Sequence, residues 1–331
     1  MNNRLFIICA RVAVVLALFV VVLGAYVRLS HAGLGCPDWP GCYGEMVVSG
    51  GIANTEHLYD RPFESGKAWK EMIHRYAAGI LGLFIFAIAI MAWRQRNSLE
   101  IGPGLPALIA ILVVFQALLG MWTVTLLLKP VIVLAHLLGG LTILSLLFWL
   151  NLKLRDPPLT IVTGHPSITP WALAAIVIVA LQISLGGWTS ANYAALICPD
   201  FPTCQSSWWP PMDFQDGFIL WRGLGVDYEG GVLPAEGRTA IHMVHRIGAV
   251  ITALVIGLLA LWLILKKDLR VTGIILLLIL TLQILLGISN VLLRLPLPVA
   301  VAHNGVAAVL LLTLVALLHQ VLVPKSSGSL V

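Results

Sequence analysis

Cys36-Pro37-Asp38-Trp39-Pro40-Gly41-Cys42 is written again, 162 residues later, as Cys198-Pro199-Asp200-Phe201-Pro202-Thr203-Cys204. The likeness extends outward from these blocks. Gly24 stands twelve residues before the first and Gly186 twelve before the second. Ile73-His74-Arg75 is matched by Val244-His245-Arg246, and Gln116-Ala117-Leu118-Leu119-Gly120 by Gln283-Ile284-Leu285-Leu286-Gly287. Ala135-His136 and Ala302-His303 close the series, the His in each case twenty residues after its Gln. All matches keep their order, so the chain holds two tandem copies of one unit.

Between the matched blocks the chain is apolar. Hydrophobic residues make up 59% and charged residues 11%, with a mean hydropathy of +0.96, whereas soluble domains are nearer a quarter charged. Eight apolar stretches run over 6–27, 71–93, 105–128, 131–152, 170–190, 239–264, 271–293 and 299–322. Each is long enough to cross a bilayer as a helix. Lipid offers backbone groups no partners, and the runs are continuous, not alternating, which excludes a β-barrel. The first run continues to Gly24 without a small-residue cleavage site, so it reads as a span and not a signal peptide. The expected fold is an all-α membrane protein of eight transmembrane helices. It is built as two tandem four-helix bundles, 1–155 and 156–325, with 326–331 a tail or cloning scar. An even number of spans per half orients both halves alike, so a pseudo-two-fold runs along the membrane normal. The scattered Lys and Arg form no basic stripe, which argues against nucleic acid as a partner.

Both termini fall on one side, with short loops carrying Arg94, Arg96, Lys153, Arg155, Lys266, Lys267 and Arg270. The positive-inside rule makes that side cytoplasmic. The raw Lys/Arg count does not separate the sides. However, Arg28, Arg75 and Arg246 sit at span ends, and the loops 31–70 and 191–238 are long enough to cross regardless of charge.

Four of five cysteines form two C-x5-C pairs, Cys36 with Cys42 and Cys198 with Cys204, in equivalent outer loops. Zinc sites favour four ligands and closer spacing. Two small closed loops at matched places read as disulfides, which require an oxidising space such as the periplasm; a redox-active dithiol is the competing reading. Cys9, alone in the first span, reads as a small buried residue.

Four of nine histidines recur: His74, His136, His245 and His303. Ionisable residues in spans are costly and usually functional. Each sits near the outer end of an even-numbered span of its half, so the two of a half lie at one depth, expected on neighbouring helices. Two imidazoles so placed suit the two axial positions of a haem iron. His31, His57 and His165, in loops or at span ends, read as solvated, and His319 as interfacial. His242 lies one turn before His245, and the matching place before His74 holds Glu71. Glu71 is thus either a helix cap or a carboxylate beside one porphyrin only. Arg75 and Arg246, next to the ligands, either pair with haem propionates or snorkel to the interface.

From Gly24-Ala25-Tyr26-Val27-Arg28-Leu29 through the C-x5-C loop and Glu71-x-x-His74-Arg75 to His245-Arg246 and His303, the chain resembles the haem A synthase family. The resemblance implies oxidation of a ring methyl of haem O to a formyl group, giving haem A for cytochrome c oxidase. It implies that His74 and His136 hold substrate haem O, that Glu71 is the catalytic carboxylate, and that His245 and His303 hold haem b as cofactor. Haem O synthase (protohaem farnesyltransferase) and cytochrome c oxidase assembly are the implied partners, in a bacterial inner membrane with periplasmic Cys loops. Some family branches lack Cys, so a structural role for at least one pair stays open. The competing functions are a di-haem b-type electron-transfer cytochrome and a haem transporter or binding protein, and neither requires Glu71 to differ from His242.

Overall fold

A computed structural model describes residues 3–48, 58–59, 61–97, 101–154 and 165–322. His57, Arg155 and the 326–331 tail lie outside them. Nine helices occur among the described residues: α1 Asn3–Leu29, α2 Ser65–Arg94, α3 Gly104–Thr125, α4 Pro130–Lys153, α5 Thr169–Ala191, a one-turn α6 Phe214–Gly217, α7 Ala235–Ile264, α8 Arg270–Leu292 and α9 Leu297–Leu322. All but α6 are long and apolar enough to span a bilayer, so the chain is a multi-pass membrane protein of eight helices.

Two boundaries depart from the sequence expectation for physical reasons. Helix α2 starts at Ser65, not near residue 71, because the polar segment before the lipid-facing run continues the helix into the interface. Helix α3 stops at Thr125, although its apolar run continues. Leu127 and Leu128 take positive φ (51° and 58°) and turn the chain, as Arg294 and Leu295 do in the second half (58° and 60°). Pro130 then opens α4 in its first turn, where a missing N–H costs nothing.

In the first half, α1 packs on α2, α2 on α3, α3 on α4 and α4 on α1; in the second, α5 on α7, α7 on α8, α8 on α9 and α9 on α5. Each half is thus a four-membered ring, and the halves meet through α1 with α9, α4 with α5, and α4 with α9. Exchanging the halves maps the first of these contacts onto the second and the third onto itself, as a two-fold requires. Helices α2 and α4, which carry His74 and His136, are therefore diagonal across their ring, as are α7 and α9. The expectation that the paired histidines stand on neighbouring helices is wrong; the ring has four corners, and alternate spans occupy opposite ones.

The large hydrophobic core occupies only the end of the bundle nearer the termini: Phe6 to Ala17 on α1, Leu81 to Ala92 on α2, Leu141 to Leu150 on α4, Ile168 to Val179 by and on α5, Ile256 to Leu263 on α7 and Ala308 to Val321 on α9. Towards the Cys loops the packing opens. Residues 131–140 of α4 include none that is fully buried, although α4 is touched by α1, α3, α5 and α9. The runs 21–26, 182–187 and 303–307 behave alike. Interiors normally pack to crystal density, so such runs on centrally placed helices mark unfilled space. Each half is solid at one end and hollow at the other.

Candidate functional site

The Cys loops form a lid on the hollow end, built alike in both halves. Cys36–Cys42 and Cys198–Cys204 are disulfide-bonded, with Cα–Cα distances of 4.8 and 4.6 Å. The repeated Asp secures each turn: Asp38 accepts from Tyr43 N (2.6 Å) and Gly44 N (2.8 Å), Asp200 from Gln205 N (2.6 Å) and Ser206 N (3.0 Å). All four bridged cysteines are at most 1% exposed, which shields them from exchange with a soluble thiol and favours a structural role. Cys9 is the one free cysteine. Thiol labelling of unreduced, unfolded protein is expected to mark Cys9 alone; a second labelled thiol contradicts the pairing.

The arginines after the histidines anchor these lids. Arg75 Nη1 donates to the carbonyls of Asp38 (2.9 Å) and Gly41 (2.5 Å), and Arg246 to those of Asp200 (2.8 Å) and Thr203 (2.8 Å). Glu71 joins the first anchor. Its Oε1 accepts from Arg75 Nη2 (2.5 Å) and its Oε2 from Cys36 N (2.9 Å), with the residue 5% exposed. Since α2 begins at Ser65, Glu71 lies in its second turn and does not cap the helix. In the second half His242 contacts the Ala194 carbonyl through Nδ1 (2.9 Å) instead. The first lid is therefore tied by a buried carboxylate, whereas the matching imidazole of the second half contacts the chain just before its Cys loop.

Below the lids, the four repeated histidines share one setting. A Cβ added at Gly24 would meet His74 Cε1 at 3.0 Å; at Gly120, His136 at 3.2 Å; at Gly186, His245 at 3.2 Å; at Gly287, His303 at 3.0 Å. Every imidazole turns its Cε1 corner towards a glycine on the preceding span, where no larger residue leaves room. The chain is built from four helical hairpins, each presenting one such ring. The sequence reading noticed these glycines only as repeat markers; the signal for their role was their place in each hairpin, not in each half. Glutamines were missed in the same way. Gln116 Nε2 lies 3.1 Å from His136 Nδ1, Gln182 Nε2 3.1 Å from His245 Nδ1, and Gln283 Nε2 3.3 Å from His303 Nε2.

This arrangement fits a planar metallomacrocycle. The ring nitrogens His74 Nδ1 and His303 Nδ1 are buried without a hydrogen-bond partner, an arrangement that costs free energy unless something else compensates it. The histidines stand on diagonal helices facing unfilled space. Gly186→Ala and Gly287→Ala would each press a methyl onto a ring, and are expected to shift the low-spin electron paramagnetic resonance of bound haem and lower its occupancy. Gly79→Ala meets nothing within 4 Å and serves as a neutral control.

The fold and site define an eight-helix membrane protein with two halves, each offering a glycine-cradled pair of histidines under a disulfide-closed lid. A family model described as COX15-CtaA, cytochrome oxidase assembly protein, matches residues 8–315. The chain belongs to this family. It is 45% identical to a protein named heme A synthase from Shewanella oneidensis over 96% of this chain and 97% of that one. Proteins of the same name from Rhizorhabdus wittichii and Halalkalibacterium halodurans are 27% and 24% identical, over 95% and 89% of this chain and 93% and 90% of theirs.

Proposed function

We propose that this chain is a haem A synthase, an oxidoreductase that converts a ring methyl of haem O to a formyl group. The observation that carries the reading is the contrast between two otherwise matched halves: the same histidines, glycines and lids, but a buried carboxylate, Glu71, one turn from His74 where the second half has His242. Pure electron transfer or haem carriage needs no such difference. The first half, 1–155, would hold the substrate haem O through His74 and His136, and the second, 156–325, haem b through His245 and His303. When bound, haem b supplies a redox-active iron able to accept or deliver electrons one at a time. The protein's part is to fix each ring against its glycine, exclude water beneath the lid, and hold Glu71 as a proton-accepting group beside the substrate half. Arg75 and Arg246, already drawn to loop carbonyls, have N–H groups near enough to the lid to meet propionates as well.

The disulfides require an oxidising compartment, which supports periplasmic Cys loops, cytoplasmic termini and a bacterial inner membrane. Haem O synthase is then the enzyme class that supplies the substrate, and cytochrome c oxidase assembly consumes the product. Extraction of pigment from purified protein tests the function: haem O or haem A beside haem b supports the synthase, whereas haem b alone at both sites identifies a di-haem cytochrome.

A further inference from the structure

One hairpin lacks a feature that the other three share. Gln116, Gln182 and Gln283 each stand four residues before the cradle glycine of their helix, and the fourth hairpin has Val20 there. His74 is thus the one repeated histidine without a carboxamide beside its ring; its Nδ1 is buried without a partner, as is that of His303, whose glutamine faces Nε2 instead. A second change accompanies the first. A Cβ at Gly139, three residues after His136, would lie 2.2 Å from Gln116 Oε1, and one at Gly248, three after His245, 2.3 Å from Gln182 Oε1. These glycines make room for the amide. The corresponding residue is Ala77 after His74 and Val306 after His303, so glycine at this place accompanies the two glutamines that face Nδ1, and the His74 hairpin lacks both.

A glutamine beside an imidazole fixes the ring's orientation. It also governs the proton on the nitrogen that does not face the metal. Nε2 of Gln116 and of Gln182 donates to the backbone carbonyl of its histidine (2.7 and 3.0 Å), and Oε1 is buried and unpartnered; a half-turn of the amide exchanges that bond for one in which Oε1 accepts the Nδ1–H of a ring committed to iron through Nε2. Such outer partners strengthen a ligand and lock its orientation. Building on the ligand assignment proposed above, we infer that the absence of a glutamine at Val20, with Ala77 in place of glycine, makes His74 the exchangeable iron ligand, so that the substrate haem is held firmly from the His136 side and released on the His74 side, while His245, backed at Nδ1 by Gln182, retains the haem of the second half. A site that must discharge its product every turnover needs one weak axial bond; a cofactor site does not.

The full chain, purified and reloaded with hemin, tests this by transfer of haem to apomyoglobin. Release is expected in two phases, the faster one absent from His136→Ala, which removes the glutamine-backed ligand of that half. Val20→Gln combined with Ala77→Gly is expected to slow the faster phase about tenfold or more, and Gln182→Leu to speed the slower one by a similar factor. Gln182→Glu keeps an acceptor for the ring N–H and is expected to retain haem while moving its midpoint potential to more negative values, which altered packing alone would not do. Should Val20→Gln with Ala77→Gly fail to fold, the two Gln182 variants decide. If the Gln182 variants leave release within about twofold of the parent and the potential unmoved, while His245→Ala still loses its haem, the glutamines do not tune the ligands and the inference is overturned. If His245→Ala keeps its haem, the ligand assignment itself has failed and the inference falls with it.

Discussion

His245→Ala or His303→Ala is expected to strip the haem b proposed for the second half from the purified protein, with occupancy falling by at least about tenfold, the lower end of what losing even an outer-sphere partner costs a metal site. The two rings stand on α7 and α9, diagonal members of one ring of helices, each cradled by a glycine that allows little displacement. One remaining imidazole cannot keep a six-coordinate low-spin iron. His74→Ala and His136→Ala act in the other half and are expected to leave haem b bound and its spectrum unchanged, while abolishing haem A formation. Pyridine haemochrome analysis with low-spin absorbance reads both results. Equal loss of haem b from all four variants would undo the division into substrate and cofactor halves.

The eight helices were legible because lipid leaves the backbone one solution and hydropathy reports it directly. The paired disulfides and the four histidines were legible because the chain states them twice. Their spatial relation was not: a list of spans does not say which helices share an edge, and only the packed rings show that α2 and α4 are diagonal. The role of Glu71 in the lid was hidden for a related reason. Its bond to Cys36 N joins positions 35 residues apart, and the polar start of α2, invisible to hydropathy, moved the helix end away from it. The glycine cradles and glutamines follow a hairpin repeat that comparison of halves obscures, since Gln182 has Val20 as its counterpart. Contacts across the lids, such as Arg61 with Asp227 and Glu229 or Tyr228 N with Leu127 O at 3.1 Å, join loops with no shared pattern and could be found only in three dimensions.

Glu71→Gln is expected to lower haem A formation at least tenfold, equivalent to about 1.4 kcal/mol in barrier, while haem b and both disulfides persist. The carboxylate lies one turn from His74, so the two side chains leave α2 on one face, and His74 faces the proposed substrate. Oxidising a methyl group requires a place for its protons and for positive charge developing at carbon; a fixed carboxylate can serve either need. The structure adds a competing role, since the same group accepts from Cys36 N and Arg75. The two roles separate by experiment. Glutamine's carbonyl can still accept from Cys36 N, and Arg75 keeps its bonds to the Asp38 and Gly41 carbonyls, so the lid should survive Glu71→Gln with only a modest fall in thermal midpoint. Arg75→Leu removes the lid anchor but leaves the carboxylate, and is expected to cost more stability and less turnover per molecule still folded. Glu71→Asp should fall between parent and Gln in rate, because the charge remains but is withdrawn by one methylene. If Glu71→Gln forms haem A at the parental rate, Glu71 is a lid tie alone, and the proton-accepting group belongs to another residue of the first half.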